Sequence, residues 1–202
     1  MYRIALILAL ALFAASCGGR RSRPQQTACV SQPRVFLPAI APARLSPQEQ
    51  RDYLRWHYWD RFDFADTLFV READTAQMVE AYARWVALIS DRPADAAPMD
   101  SLMRRASASR PMLDYFTMLA QQVIHDPNSP LRNDEFYIPV MQAVLASPYY
   151  DEYERIGPAY DLAMASQNRL GQRANDFRYT TADGVTRRMY DIRAEYLLLF
   201  IN

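Results

Sequence analysis

Apolar residues at helical spacing govern the middle of the chain. Ser46-Pro47-Gln48-Glu49 reads as a capping box with Pro at the first helical position, so a helix is predicted from there through "RDYLRWHYWD". Asp74 is placed to cap the next helix, in which Met78, Tyr82, Trp85, Val86 and Ile89 share one face. "SDRPADAAP" then breaks the pattern, and a short helix is predicted around 99–106. Pro111 opens "MLDYFTMLAQQVIHD", with Met112, Phe116, Leu119 and Val123 on one side and Gln121 and Gln122 away from it. Asn133, followed by Asp134 and Glu135, suits the positive end of a helix dipole, and Phe136, Val140 and Val144 repeat every fourth residue behind it. A last helical stretch is predicted between 149 and 169, broken at Gly157-Pro158.

After residue 170 the period changes. In "ANDFRYTTADGVTRRMYDI", Phe177 and Tyr179 alternate with polar residues up to Asp183-Gly184, which predicts a β-hairpin with an Asp-Gly turn. The run 196–201, "YLLLFI", is too short to span a membrane and reads as a fully buried strand. The predicted fold class is mainly α: a non-repetitive bundle of five or six helices, then a hairpin and one strand. No repeat of fixed period supports stacked helical hairpins.

Composition narrows the function more by exclusion than by pointing. The chain has 202 residues, half of them apolar, enough for one domain with a proper core. Its 23 basic residues balance 23 acidic ones, which gives no overall basicity to suggest a nucleic-acid partner. The charge is unevenly placed. The first carboxylate is Glu49, whereas from Ser46 onward 17 Arg stand against 23 Asp plus Glu, so a basic leader precedes an acidic body. Every basic residue is Arg; without Lys there is no P-loop, pyridoxal or Schiff-base chemistry and no kinase strand Lys. With 5 Gly there is no phosphate-cradling loop either, and no cofactor is predicted.

The N-terminus carries an address. "MYRIALILALALFAASCGG" has a charge at Arg3, an apolar run and small residues leading to Cys17, the layout of a secretory signal. It resembles a bacterial lipoprotein signal in which Cys17 becomes the first mature residue and carries the lipid, although Ala14 stands where such signals usually have Leu. Plain secretion is the other reading. On the lipoprotein reading, residues 1–16 are the signal peptide and Cys17 is the lipid anchor. Residues 17–45, Pro-rich, basic and aperiodic, form a tether. The absence of acidic residues after Cys17 resembles lipoproteins that face the periplasm from the outer membrane. Cys29, the only other cysteine, is read as an inert tether residue, with pairing between molecules as the alternative.

Candidate chemistry in the body is sparse. His57 with Asp60, Asp63 and Asp66, and His125 with Asp126, could in principle hold a metal or move protons. Their spacing matches no ligand pattern, and no metal site is predicted. Trp56, Tyr58, Trp59, Phe62 and Phe64 could line a peptide or glycan groove, but a dense aromatic run opening a helical domain is better read as core. Segment 126–140, with its fixed Pro backbone, Arg132 and two carboxylates, is the preferred surface for a neighbouring domain.

Two resemblances join these readings. Ala174, Asp176 and Phe177, then Asp183-Gly184, then Tyr196, Leu198, Leu199 and Phe200, resemble in order and spacing the entry to a thioredoxin-like domain of the peroxiredoxin and thiol-disulfide oxidoreductase type. "YLRWHYWDRFDFAD", "HDPNSPLRNDEFYIPV" and "LASPYYDEYERIGPAYDLAMASQNRLGQRANDF" resemble a family of helical domains of unknown function, the DUF5106 type, that precede thioredoxin-like domains in bacterial envelope lipoproteins. The resemblance implies a helical domain over 46–170 and a truncated thioredoxin-like entry over 171–202. It also implies a Cys-x-x-Cys beyond the last strand. Neither Cys17 nor Cys29 fits that motif, so no catalytic residue is carried over and the chain is not expected to be an enzyme. The function implied is a non-catalytic module of a periplasm-facing lipoprotein, normally joined to a thiol-redox domain that it positions or supplies with clients. Its partners would be the membrane, through lipid on Cys17, and a protein client or the neighbouring domain. The alternative is a stand-alone periplasmic binding or scaffold lipoprotein whose last strand pairs with another subunit or tucks against the bundle.

Overall fold

The computed structural model describes residues 33–169 and 171–199; the signal peptide, Cys17, Cys29 and the first part of the expected tether lie outside the described residues. Seven α-helices and a two-stranded sheet occur in order among the described residues. These are α1 (Pro47–His57), α2 (Phe69–Glu72), α3 (Thr75–Ile89), α4 (Ala97–Ala106), α5 (Arg110–Ala120), α6 (Asp134–Ala146) and α7 (Ile156–Ala165), then β1 (Arg178–Thr180) and β2 (Thr186–Arg188). The count exceeds the expected five or six because α2 is a single turn, too short to show a helical period.

The caps fall where the sequence places them. Ser46 and Glu49 form the reciprocal capping box of α1, Asp74 accepts from the Gln77 N–H at the start of α3, and Asn133 accepts from the Phe136 N–H at the start of α6. Each satisfies an N–H that the first turn leaves unpaired. The apolar face of α3 is buried as its spacing requires, as are Met112, Phe116, Leu119 and Val123.

Two helical features depart from expectation. α5 passes into a π-helical turn over Gln121–His125, closed by the Asp126 N–H donating to the Gln121 carbonyl at 2.9 Å. The widened turn lets the adjacent Val123 and Ile124 both enter the core while Gln121 and Gln122 remain exposed. Gly157-Pro158 does not break the last helix. Pro158 sits in the first turn of α7, where backbone N–H groups lack helical partners anyway.

The core is one cluster running from Phe36 to Val144. Its aromatic centre is Trp59, which meets Phe116 edge-on with ring centroids 5.3 Å apart and stacks on Phe36 at 4.8 Å. That stack corrects the tether boundary. Residues 33–45, expected as part of the tether, are strapped to the body. The Arg34 N–H donates to the Glu72 carbonyl at 2.8 Å, the Asp74 N–H donates to the Arg34 carbonyl at 3.0 Å, and Phe36 is inserted among the core aromatics. Val35, Phe36 and Leu37 stand side by side in a Pro-rich stretch, so no period announces that Phe36 is the buried one.

β1 and β2 pair antiparallel with Thr180 opposite Thr186, and Gly184 takes φ 79°, as the Asp-Gly turn requires. The expected buried strand at 196–201 is not formed over its described residues, 196–199. Tyr196 and Leu198 are 85% and 76% exposed. Among the described residues β1 and β2 pair only with each other, so this run has no ladder to join and no second layer to cover it.

Candidate functional site

The predicted chemical candidates do not converge. His57 Nδ1 lies 2.7 Å from Asp60 at the exposed end of α1, whereas His125 stacks on Tyr137 at a centroid distance of 4.1 Å. Asp63 accepts from the Ala65 N–H, and Asp66 is committed to Arg34 at 2.5 Å. Among the described residues no three His, Cys, Asp or Glu side chains are grouped to hold a metal. Tyr58, Trp59, Phe62 and Phe64 are core, with Trp56 alone of that run exposed; Phe62 also reaches the lining of a cavity beside residues 34–37.

The segment 126–140, preferred as a domain contact, holds one end of an ion pair within the chain. Glu135, in the first turn of α6, receives two hydrogen bonds from Arg169 Nε, at 2.9 and 3.2 Å to its two oxygens, and a further one from Arg169 Nη2. Those bonds hold the Glu135 carboxyl below its ordinary range, and the helix N-terminus favours the same charge. Arg169 ends the segment that leaves α7, so the pair pins that exit to the start of α6. Tyr137, one turn along α6, reaches Asp161 of α7 at 3.4 Å; burial first, and then this neighbouring carboxylate, push its phenol up to about 12.

Past Arg169 the backbone is held in a defined path. Asn168 adopts φ 50°, a left-handed conformation that Asn tolerates better than most residues, and its side chain accepts from the Asn175 N–H at 2.7 Å. The Asn175 side chain returns a bond to Gln167 at 3.0 Å. Asp176 then accepts from Arg188 at 2.5 Å and from the Tyr190 N–H at 3.1 Å. Although burial opposes it, these bonds hold the Asp176 carboxyl below its usual range. Arg173 lies 3.6 Å over the Tyr190 ring. The hairpin is thus tied to the chain that enters it, and that chain is tied to α6. Asn, Gln and Arg in this linker carry no motif, so the sequence singles out only Asp176 among these groups.

The profile of the family described as "Domain of unknown function (DUF5106)" matches residues 16–168. The chain belongs to this DUF5106 family. A solved structure, that of a thioredoxin-like protein from Bacteroides caccae ATCC 43185 at 1.90 Å resolution, is 33% identical with a TM-score of 0.68. The match covers 80% of this chain and 58% of that one, so this DUF5106 chain spans little more than half the length of that relative. No curated protein matches it. The cysteines at 17 and 29 form no Cys-x-x-Cys, and the described part of the chain holds a helical domain and a hairpin without a complete thioredoxin-like sheet.

Proposed function

We propose that this DUF5106 chain is the helical module of a periplasm-facing lipoprotein, anchored by lipid on Cys17 and joined to a thiol-disulfide redox domain that it positions or supplies with clients. The observation that carries this reading is the 33% identity, over 80% of the chain, to a protein described as thioredoxin-like. Two features support it. The signal-like run before Cys17 gives the address. The Glu135–Arg169 pair and the bonds around Asn168, Asn175 and Asp176 give the hairpin a fixed exit from the bundle, as a module that orients the next domain needs. A loose linker would leave that domain to diffuse.

The test is disulfide reductase activity toward insulin, measured on the native polypeptide purified in detergent from the source cell envelope. The reading expects reductase activity that is lost on alkylating the reduced thiols, and a Cys17→Ser protein that leaves the membrane fraction. An inactive polypeptide would favour the stand-alone scaffold instead.

A further inference from the structure

The strap at 33–37 has two edges, and among the described residues only one is paired. On the inner edge Arg34 pairs in parallel with Ala73. Gln77 continues that ladder with its side chain: its Oε1 accepts from the Phe36 N–H at 3.1 Å, and its Nε2 donates to the Phe36 carbonyl at 2.8 Å. A carboxamide thus stands in for the next peptide group of a strand. In extended backbone the polar groups of alternate residues point to opposite sides. Since those of Arg34 and Phe36 point inward, those of Val35 and Leu37 point outward, and they meet no backbone partner among the described residues. The side chains of Val35 and Leu37 are 55% and 65% exposed, while Phe36 between them is locked into the core.

Beside this edge lies a cavity of about 270 Å³ lined in part by Arg61, Asp63, Asp66 and Phe69. Asp66 is held by Arg34, and Asp63 accepts from the Ala65 N–H. Arg61 has no carboxylate within ion-pair distance among the described residues.

We propose that the outer edge of this strap, at Val35 and Leu37, binds an extended polypeptide segment by strand addition, with Arg61 receiving a carboxylate of that segment. Free N–H and C=O groups in register accept another extended backbone, and the flanking Val and Leu favour apolar residues at alternate positions of the guest. A lipid surface fits less well, because hydrocarbon offers those unpaired backbone groups no hydrogen-bond partner. Phe36 and Gln77 fix the strap beforehand, so little chain ordering opposes binding. The site does not depend on a redox domain being attached.

The test uses the whole chain and a fluorescein-labelled peptide of alternating Val and Thr with one Glu, read by fluorescence anisotropy. Saturable binding is expected, weakened about tenfold when alternate amides of the peptide are N-methylated, a change that leaves the protein untouched. Arg61→Ala should weaken binding about threefold, as should replacing the peptide Glu by Gln. Val35→Pro should weaken it with an unchanged melting temperature. No saturable binding, or equal binding of the N-methylated peptide, overturns the proposal. So does hydrogen-exchange protection of 35–37 by phosphatidylethanolamine and phosphatidylglycerol vesicles where the peptide gives none. Because no redox readout is involved, failure here leaves the proposed function standing, and an absent redox domain leaves this site standing.

Discussion

Glu135 and Arg169 form a two-pronged ion pair that closes the exit of α7 onto the first turn of α6. Glu135 stands in the first turn of α6 and Arg169 in the irregular segment after α7; the bond spans 34 residues of sequence and fixes where the hairpin segment starts. Arg169→Ala or Glu135→Gln should therefore leave the bundle folded and loosen the segment that leads into the hairpin. We expect faster hydrogen exchange at 171–176, with a pair coupling on the order of 1 kcal/mol or less in a double-mutant cycle. The Glu135 carboxyl is held below its ordinary range, so its contribution is complete above the unfolded value, about 4.3, and fades as pH falls through the folded one. Protection at 171–176, taken relative to the intrinsic exchange rate at each pH, should fall below about pH 4 and stay level between about pH 6 and 8. Equal protection in wild type and Arg169→Ala would contradict the clamp.

Phe36 stacks on Trp59 from a segment outside any helix. Phe36→Ala would open a cavity at the aromatic centre and release the strap, and we expect a loss of about 3–5 kcal/mol in urea unfolding. A loss below about 1 kcal/mol would mean that the strap rides on the surface, and the edge at Val35 and Leu37 would then not be held in place.

Arg55 is a buried cation, its side chain 2% exposed and facing Asp91 and, at 3.6 Å, Asp95 in the turn after α3. The two carboxylates keep contact with water, whereas the guanidinium does not, so the two ways of breaking the cluster are unequal. Asp91→Asn with Asp95→Asn strands a buried charge and should cost about 3 kcal/mol, while Arg55→Met, which returns the acids to solvent and keeps apolar volume, should cost less than half of that. Thermal unfolding of the two variants ranks them; the reverse order would refute the argument.

Tyr196 and Leu198 lie exposed beside other apolar residues in a run of strong β propensity. Such runs pair between molecules. A shortened chain ending at Arg169, or the single change Leu198→Lys, should elute with less aggregate on size-exclusion chromatography than the chain of residues 17–202. Equal elution profiles would remove this segment as a cause of association.

The longer helices are legible because their signals are local. Ser46, Asp74 and Asn133 are caps a few residues from the groups they satisfy, and the α3 face repeats at its own period. The hairpin was legible for the same reason, through Asp183-Gly184. What escaped depends on partners distant in sequence. Phe36 owes its burial to Trp59, Gln77 serves as a strand for a segment 41 residues away, and Arg169 finds Glu135 across the bundle. The π-helical turn at Gln121–His125 escaped because two adjacent apolar residues fit no regular helical stripe. Over 196–199 the apolar composition forms no strand, since a strand is also defined by neighbours, and the described residues supply none.

The central claim is that this helical module is covalently joined to a redox domain, and the intact mass of the native polypeptide in the membrane fraction tests it most directly. The account predicts a lipidated species larger by a domain of roughly 100–150 residues, carrying a reducible Cys-x-x-Cys. A species at the mass of the lipidated 186 residues that remain of the 202 once residues 1–16 are removed would contradict it.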